Sequence, residues 1–125
     1  LVGENLFKAA AFLNLVAIPG HMKYGFDHVY PAFRSIATPK HELGGRGGLI
    51  SWDYINAVFL ISALLNWRWS VNAGPRGNCD KAIFWTQFIA GGIAGFRYWQ
   101  ARFLPPILTL WIAPICALGG WVLVD

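Results

Sequence analysis

Four apolar segments, separated by short polar connections, constrain this chain more than any other feature of its sequence. Three of them, residues 49–69, 82–99 and 103–124, approach the length of about 20 residues that a helix needs to cross a bilayer core. The fourth, residues 6–20, is shorter and continues into a polar stretch. In lipid, only a helix or a closed barrel satisfies its own backbone hydrogen bonds. The pattern therefore predicts an integral membrane protein with four transmembrane helices.

The composition supports the same class of protein. Hydrophobic residues make up 56% of the 125 residues and charged residues only 13%, whereas soluble domains carry about 25% charged residues. A soluble protein of this size has too little interior to hide so much apolar surface. The net charge of +4 comes from residues in connections and at segment ends, without a basic run interleaved with aromatics. We therefore expect membrane lipids, and no nucleic acid, among its partners.

The first predicted helix runs from Glu4 to about Tyr30, with a kink at Pro19. Residues 31–48 are predicted to be a flexible loop, because they are polar and contain four glycines between positions 44 and 48. Ser51 then suits the N-cap of the second helix. Short connections favour antiparallel neighbours, so the prediction is a single domain over residues 1–125, an all-α, up-down-up-down bundle. The membrane itself, plasma, endoplasmic reticulum or organelle, stays open.

Small and aromatic residues indicate how the helices pack. Gly91 and Gly95 form a G-x-x-x-G pair, which permits close helix approach and favours packing inside the bundle over dimerisation. Trp69 is near a segment end, so we expect it in an interfacial aromatic belt, whereas Trp111 is deeper and needs a partner for its indole N–H. The candidates for hydrogen bonds between helices are Asn14, Thr86 and Gln87. Cys79 and Cys116 are expected to be unpaired, since one is in a loop and the other within a crossing.

The antiparallel order brings polar residues from distant parts of the sequence to one end of the bundle. Ionisable residues near membrane depth are candidates for function. The predicted cluster consists of His21, Tyr24, Asp27, His28, Asp53, Asn56, Arg97, Tyr98 and Arg102.

Two histidines in this cluster are candidate cofactor ligands. His21 and His28 are seven residues apart, about 10 Å along a helix, which is too far for both to bind one ion. Each histidine is instead a candidate axial ligand for a separate haem or porphyrin-type pigment. The alternative is that the protein binds a lipid. No H-x-x-x-H or H-E-x-x-H motif is present, so no metal site is predicted.

Two functions from different classes follow. The first is a small accessory or scaffold subunit of a larger membrane complex, for instance a respiratory or photosynthetic one. It fits the small size, the short loops and the lack of a complete catalytic motif. The alternative is an integral membrane enzyme of the isomerase or cyclase type acting on an isoprenoid, a sterol or another lipid. Its acid–base site would consist of Asp27, His28, Asp53 and Arg97. A lipid-binding or assembly factor is the third hypothesis.

Overall fold

The computed structural model describes residues 1–36 and 38–124, which are about 85% helical and contain no strand. The α-helices are α1 (Val2–Tyr24), α2 (Tyr30–Ser35), α3 (Glu42–Val71), α4 (Gly77–Gln100) and α5 (Ala113–Val122). One π-helical turn, Gly25–Val29, joins α1 to α2, and a second, Leu108–Ile112, leads into α5. The described chain therefore forms four helical segments, which confirms the predicted all-α, four-helix architecture. Ala37, within the predicted loop, and Asp125, at the end of the predicted domain, lie outside the described residues.

Helix α1 is the central element of the fold. It packs along both α3 and α5, while α4 packs mainly on the π-turn before α5. Phe7 contacts Trp69 at one end of α1, and His21 stacks on Trp52 towards the other end. Residue numbers thus rise along α1 as they fall along α3, which confirms that these two helices are antiparallel.

The buried core is small and lies near the turn between α3 and α4. It contains Phe7, Ala10, Trp69, Phe84, Ala113 and Ala117. Trp69 is only 1% exposed, so the expectation that it lies in an interfacial belt was wrong. The reason is its helical position, because it shares a face of α3 with Ser62 and Asn66, and that face is turned into the bundle.

The prediction of a flexible loop over residues 31–48 was wrong for most of that range. Residues 31–35 belong to α2, and α3 begins at Glu42, so Ser51 lies inside a helix rather than at its N-cap. Gly48 fulfils a packing role here. A Cβ atom at Gly48 would lie 2.4 Å from the ring of Phe33, so the missing side chain leaves room for α2 against α3.

The G-x-x-x-G pair of α4 packs inside the protein, as predicted. A Cβ atom at Gly91 would lie 2.7 Å from the carbonyl oxygen of Leu110, and one at Gly95 would lie 2.1 Å from Nε1 of Trp111. The Trp111 indole donates a hydrogen bond to the carbonyl oxygen of Gly92 at 3.3 Å. Small residues therefore let the segment before α5 approach α4 closely.

One described helix, α3, is long and apolar enough to cross a membrane, with a mean hydropathy of 1.6 over its best stretch. Only 11% of that stretch is buried, unlike the core helix of a soluble protein. Of the four predicted membrane spans, length and composition therefore support one, which is α3. The last segment, Leu108–Val122, is apolar but shorter, and α1 and α4 are less apolar because they include polar residues such as Lys8, Asn14, Gln87 and Arg97.

Candidate ligand cavity

A cavity of about 800 Å³ lies between the helices. Its wall is built from α1, α3, α4 and the segment that leads through the second π-turn into α5. Most of the wall is apolar, from side chains such as Leu13, Phe59, Phe88 and Leu110. Cavities of roughly 300–1,000 Å³ with apolar walls and a few polar groups are typical of small-molecule sites.

The cavity lies beside α3 and α4, two helices that contact each other at only a few places. They are joined near their connecting turn by Trp69 and Phe84, whose ring centroids are 5.8 Å apart, and by the ion pair of Arg68 and Asp80. Further along, Nε2 of Gln87 donates to Oγ of Ser62 at 3.1 Å. Beyond that bond, no hydrogen bond, ion pair or aromatic pair connects the two helices in residues 1–36 and 38–124.

Exposed residues on both helices mark a lateral opening of the cavity. Ile55 and Val58 of α3 line the wall and are each 38% exposed. Thr86 and Ala90 of α4 also line the wall and are exposed. These residues indicate that the cavity opens on the side of the bundle between α3 and α4.

A row of aromatic rings closes the end of the cavity away from the α3–α4 turn. The Tyr24 ring centroid lies 4.6 Å from that of Phe103 and 6.1 Å from that of Trp52. The centroid of Phe103 is in turn 5.9 Å from that of Tyr98. This row joins α1, α3, α4 and the segment after α4. It confirms that the chain brings these four parts to one end of the bundle.

Polar side chains occur in the cavity wall near mid-length of α1 and α4 and in the last third of α3. Ser62 and Asn66 lie one turn apart on α3, Gln87 faces them from α4, and Asn14 lies on α1. Nδ2 of Asn66 donates to the carbonyl oxygen of Ser62 at 2.8 Å, and Nδ2 of Asn14 donates to that of Ala10 at 2.8 Å. Gln87 thus makes the predicted bond between helices, whereas this bond of Asn14 stays within its own helix.

The wall of the cavity carries no aspartate, glutamate, lysine or arginine among the described residues. Its titratable side chains are His21, Tyr24 and Tyr98, all at the aromatic end. Charge is found instead at the helix ends. Oδ2 of Asp80 lies 2.6 Å from the Arg68 guanidinium, and this hydrogen bond is the main reason that the pKa of Asp80 falls below its ordinary value. The cavity therefore suits an uncharged ligand.

The two predicted cofactor ligands have different surroundings. His21 lines the cavity, and its ring stacks on Trp52 with a centroid distance of 3.9 Å and an angle of 13°. Its Nδ1 atom is buried and makes no hydrogen bond within the described chain. His28 is exposed, does not line the cavity, and lies 4.7 Å from the ring of Tyr24. Of the two, only His21 is placed to touch a molecule inside the bundle.

The four predicted catalytic residues are all exposed and lie outside the cavity wall. Asp27 pairs with Lys23, and this hydrogen bond is the main cause of its lowered pKa. Asp53 accepts a hydrogen bond from Tyr30, which raises the pKa of that phenol. No hydrogen bond or ion pair links any two of Asp27, His28, Asp53 and Arg97 in the part of the chain that the structure describes. The acid–base site they were predicted to form stays a prediction.

No group of three or more His, Cys, Asp or Glu residues that could hold a metal ion occurs in residues 1–36 and 38–124. Cys79 and Cys116 are both free, as the sequence predicted.

Two polar residues of the cavity wall, Ser62 and Asn66, were not among the predicted hydrogen-bonding residues Asn14, Thr86 and Gln87. Both lie inside α3, the described helix that is long and apolar enough to cross a membrane. The sequence did contain a signal for these residues, since Ser62, Asn66 and Trp69 recur at the spacing of one helix face. A role can be assigned to that face only when the helices that pack against it are known.

Comparison with known proteins gave no match: no family model, no curated protein and no solved structure is significantly similar to this chain.

Proposed function

We propose that this chain is a multi-pass membrane protein that binds one uncharged, lipid-like molecule in the cavity between its helices. The observation that carries the proposal is the apolar cavity of about 800 Å³ that opens sideways between α3 and α4. A side opening in a membrane bundle faces the lipid phase, where an apolar ligand is dissolved. The helices would bind this molecule reversibly and exchange it with the bilayer.

The distribution of exposed apolar residues supports the membrane part of the proposal. Large apolar side chains are exposed on each of the four helical segments, for example Phe12, Leu64, Ile93 and Ile115. The described chain exposes 8211 Å², against roughly 6,700 Å² for a compact soluble protein of 13.9 kDa. Such a surface favours lipid as the surrounding solvent.

The placement of the charged residues also supports a membrane protein. The four ion pairs of the described chain join residues near helix ends or in the connections, namely Lys8 with Glu4, Lys23 with Asp27, Arg46 with Glu42, and Arg68 with Asp80. Membrane proteins concentrate charge in this way at the two water-facing ends of their helices.

The shape of the cavity limits the ligand. Its wall extends along α3 from Trp52 to Trp69, which is about 26 Å at the rise of an α-helix. An elongated apolar molecule matches this length, and the wall offers no charge to pair with a phosphate or an ammonium group. Neutral lipids such as sterols and isoprenoids therefore fit better than phospholipids.

The experiment compares two tryptophan substitutions on α3. Val58→Trp places a large ring at the cavity rim, while Ile61→Trp places the same ring on the outer surface, where Ile61 is 51% exposed and does not line the cavity. Each variant and the wild-type protein are purified in mild detergent, and the retained neutral lipids are extracted and quantified by mass spectrometry.

We expect the wild type and Ile61→Trp to retain one neutral lipid species in near-stoichiometric amount. Val58→Trp is expected to retain about tenfold less, because overpacking costs on the order of 1–3 kcal/mol. Equal retention in all three proteins, or no neutral lipid in any of them, would contradict the proposal.

The accessory-subunit hypothesis stays a prediction that the same purification addresses. Protein partners that remain bound through mild detergent, in stoichiometric amount, would support it. The enzyme alternative has less support from geometry, because Asp27, His28, Asp53 and Arg97 lie on the surface and not in the cavity wall.

A further inference from the structure

The polar residues Ser62 and Asn66 of the cavity wall carry an inference about the ligand, which rests on the proposed function. Asn66 lines the cavity and is only 4% exposed. Its Nδ2 atom donates to the carbonyl oxygen of Ser62, and because a carbonyl oxygen can only accept, the bonded amide atom must be nitrogen. The remaining atom is therefore Oδ1, an acceptor.

This acceptor is buried and unpaired. Oδ1 of Asn66 has no hydrogen-bond partner among residues 1–36 and 38–124. Buried polar atoms in folded proteins nearly always have a partner, so one without a partner is a candidate contact for a ligand. What it lacks is a donor, such as an O–H or N–H group.

Ser62 offers the complementary group. Its Oγ atom accepts the hydrogen bond from Gln87, and the Ser62 hydroxyl donates no hydrogen bond within the described chain. Ser62 and Asn66 are four residues apart, so the free donor and the free acceptor share one face of α3. A single hydroxyl group can donate to one and accept from the other.

Asn14 provides a second acceptor at the same level. Phe7 of α1 contacts Trp69 of α3, and seven residues further along the antiparallel pair, Asn14 comes level with Ser62. Asn14 lines the cavity, is buried, and has the same hydrogen bond to the carbonyl four residues earlier. Its Oδ1 is thus also an acceptor.

We propose that the ligand is an uncharged apolar alcohol whose hydroxyl donates to Oδ1 of Asn66 and accepts from the Ser62 hydroxyl. The alcohol group would lie level with the middle of α1 and α4, with the hydrocarbon body along the apolar wall. A phospholipid does not fit, because its charged headgroup would be placed among uncharged residues at that depth. A molecule with only an acceptor, such as an ether, would leave Asn66 unsatisfied.

The test uses alcohols and their methyl ethers as probes on the full chain in phosphatidylcholine nanodiscs. Tritiated cholesterol and tritiated geranylgeraniol serve as labelled ligands, each displaced by the unlabelled alcohol or by its methyl ether. The ether keeps the hydrocarbon and the acceptor but lacks the donated hydrogen. In the wild type, we expect the alcohol of at least one scaffold to compete about tenfold better than its ether.

Variants test whether Asn14 and Asn66 cause the preference for the alcohol over its ether. In Asn14→Leu/Asn66→Leu, which removes both acceptors, we expect the alcohol and the ether to compete within about twofold of each other. Asn56→Leu is the matched control, since Asn56 is on the same helix and bonds its own backbone through Nδ2 but does not line the cavity. It should keep the wild-type preference.

The outcomes separate the two proposals. If alcohol and ether bind the wild type equally, and Val58→Trp abolishes both, the cavity binds lipid but the hydroxyl inference is wrong. If neither labelled probe binds the wild type above the level of Val58→Trp, both the inference and the proposed function are contradicted for these lipids. The comparison of alcohol with ether on the wild type needs no variant, so a double variant that fails to fold does not affect it.

Discussion

Nε2 of Gln87 donates a hydrogen bond to Oγ of Ser62 at 3.1 Å, and this bond joins α3 to α4 within the cavity wall. On the side of the turn, the two helices are also held together by Trp69, Phe84 and the Arg68–Asp80 pair. The cavity extends to both sides of the bond, because its wall includes Asn66 and Trp69 as well as Phe59 and Ile55. A single polar contact in an apolar setting thus fixes the distance between the two helices at this level of the cavity.

The first prediction concerns this bond. Gln87→Leu and Ser62→Ala should each destabilise the protein, and the double variant should be less destabilised than the sum of the two. The expected interaction free energy is about 0.6 kcal/mol, the average for hydrogen bonds between membrane helices. To measure this free energy, the ligand-free protein and its variants are unfolded with SDS in mixed detergent micelles, and unfolding is monitored by tryptophan fluorescence. Strict additivity would show that the two side chains do not interact.

The ion pair of Arg68 and Asp80 predicts a loss of stability in acid. The Arg68 hydrogen bond holds the pKa of Asp80 below the ordinary aspartate value of about 3.8. Since the folded state binds the proton more weakly than the unfolded chain, the stabilisation is complete above that ordinary value. It is lost as the pH falls through the lower pKa of the folded state.

Asp80→Asn should remove this part of the acid dependence, so its stability should vary less than that of the wild type below about pH 4. Glu42→Gln is the control, because Glu42 pairs with Arg46 on the exposed surface. Unfolding free energies measured at several pH values test it. Parallel pH profiles for the wild type and Asp80→Asn would refute the prediction.

Two neighbouring glycines of α4 should respond in opposite directions. Gly95→Ala forces a Cβ atom to within 2.1 Å of the Trp111 indole nitrogen and should cost about 1–3 kcal/mol. Gly92→Ala meets nothing within 4 Å and should stabilise the helix by up to about 1 kcal/mol. Thermal unfolding in detergent compares them. The oligomeric state should be the same in both, since the pair packs inside the protein.

Cysteine labelling tests whether the helices cross the membrane one after another. The native Cys79 is exposed in the first turn of α4. With Cys116→Ala as the background, Cys79 is compared with Lys40→Cys and Arg102→Cys, each combined with Cys79→Ser. In sealed vesicles, a membrane-impermeant maleimide should label Cys79 from one side, and the other two positions from the opposite side.

Lys40→Cys and Arg102→Cys each test one helix, with Cys79 as the reference. Labelling at Lys40→Cys opposite to Cys79 shows that α3 crosses, and labelling at Arg102→Cys opposite to Cys79 shows that α4 crosses. If all three positions react from the same side, the multi-pass arrangement is wrong.

Much of the architecture could be predicted from the residues alone. Long apolar runs with short connections predicted four helical segments, and the small residues Gly91 and Gly95 predicted a close internal contact. Errors arose where a local preference competed with packing. The glycines at positions 44–48 favour a loop by themselves, but the ring of Phe33 occupies the space beside Gly48, and the segment is helical.

The sequence by itself determined that the chain is helical and rich in apolar surface, because hydropathy and periodicity are properties of local segments. Tertiary structure decided where the candidate site lies. The predicted site gathered polar and charged residues at one end of the bundle. Of these, only His21, Tyr24 and Tyr98 line the cavity, whose wall continues between the helices past Ser62 and Asn66. A cavity is the space left between helices, and the relative placement of α3 and α4 is set by contacts between residues far apart in the chain.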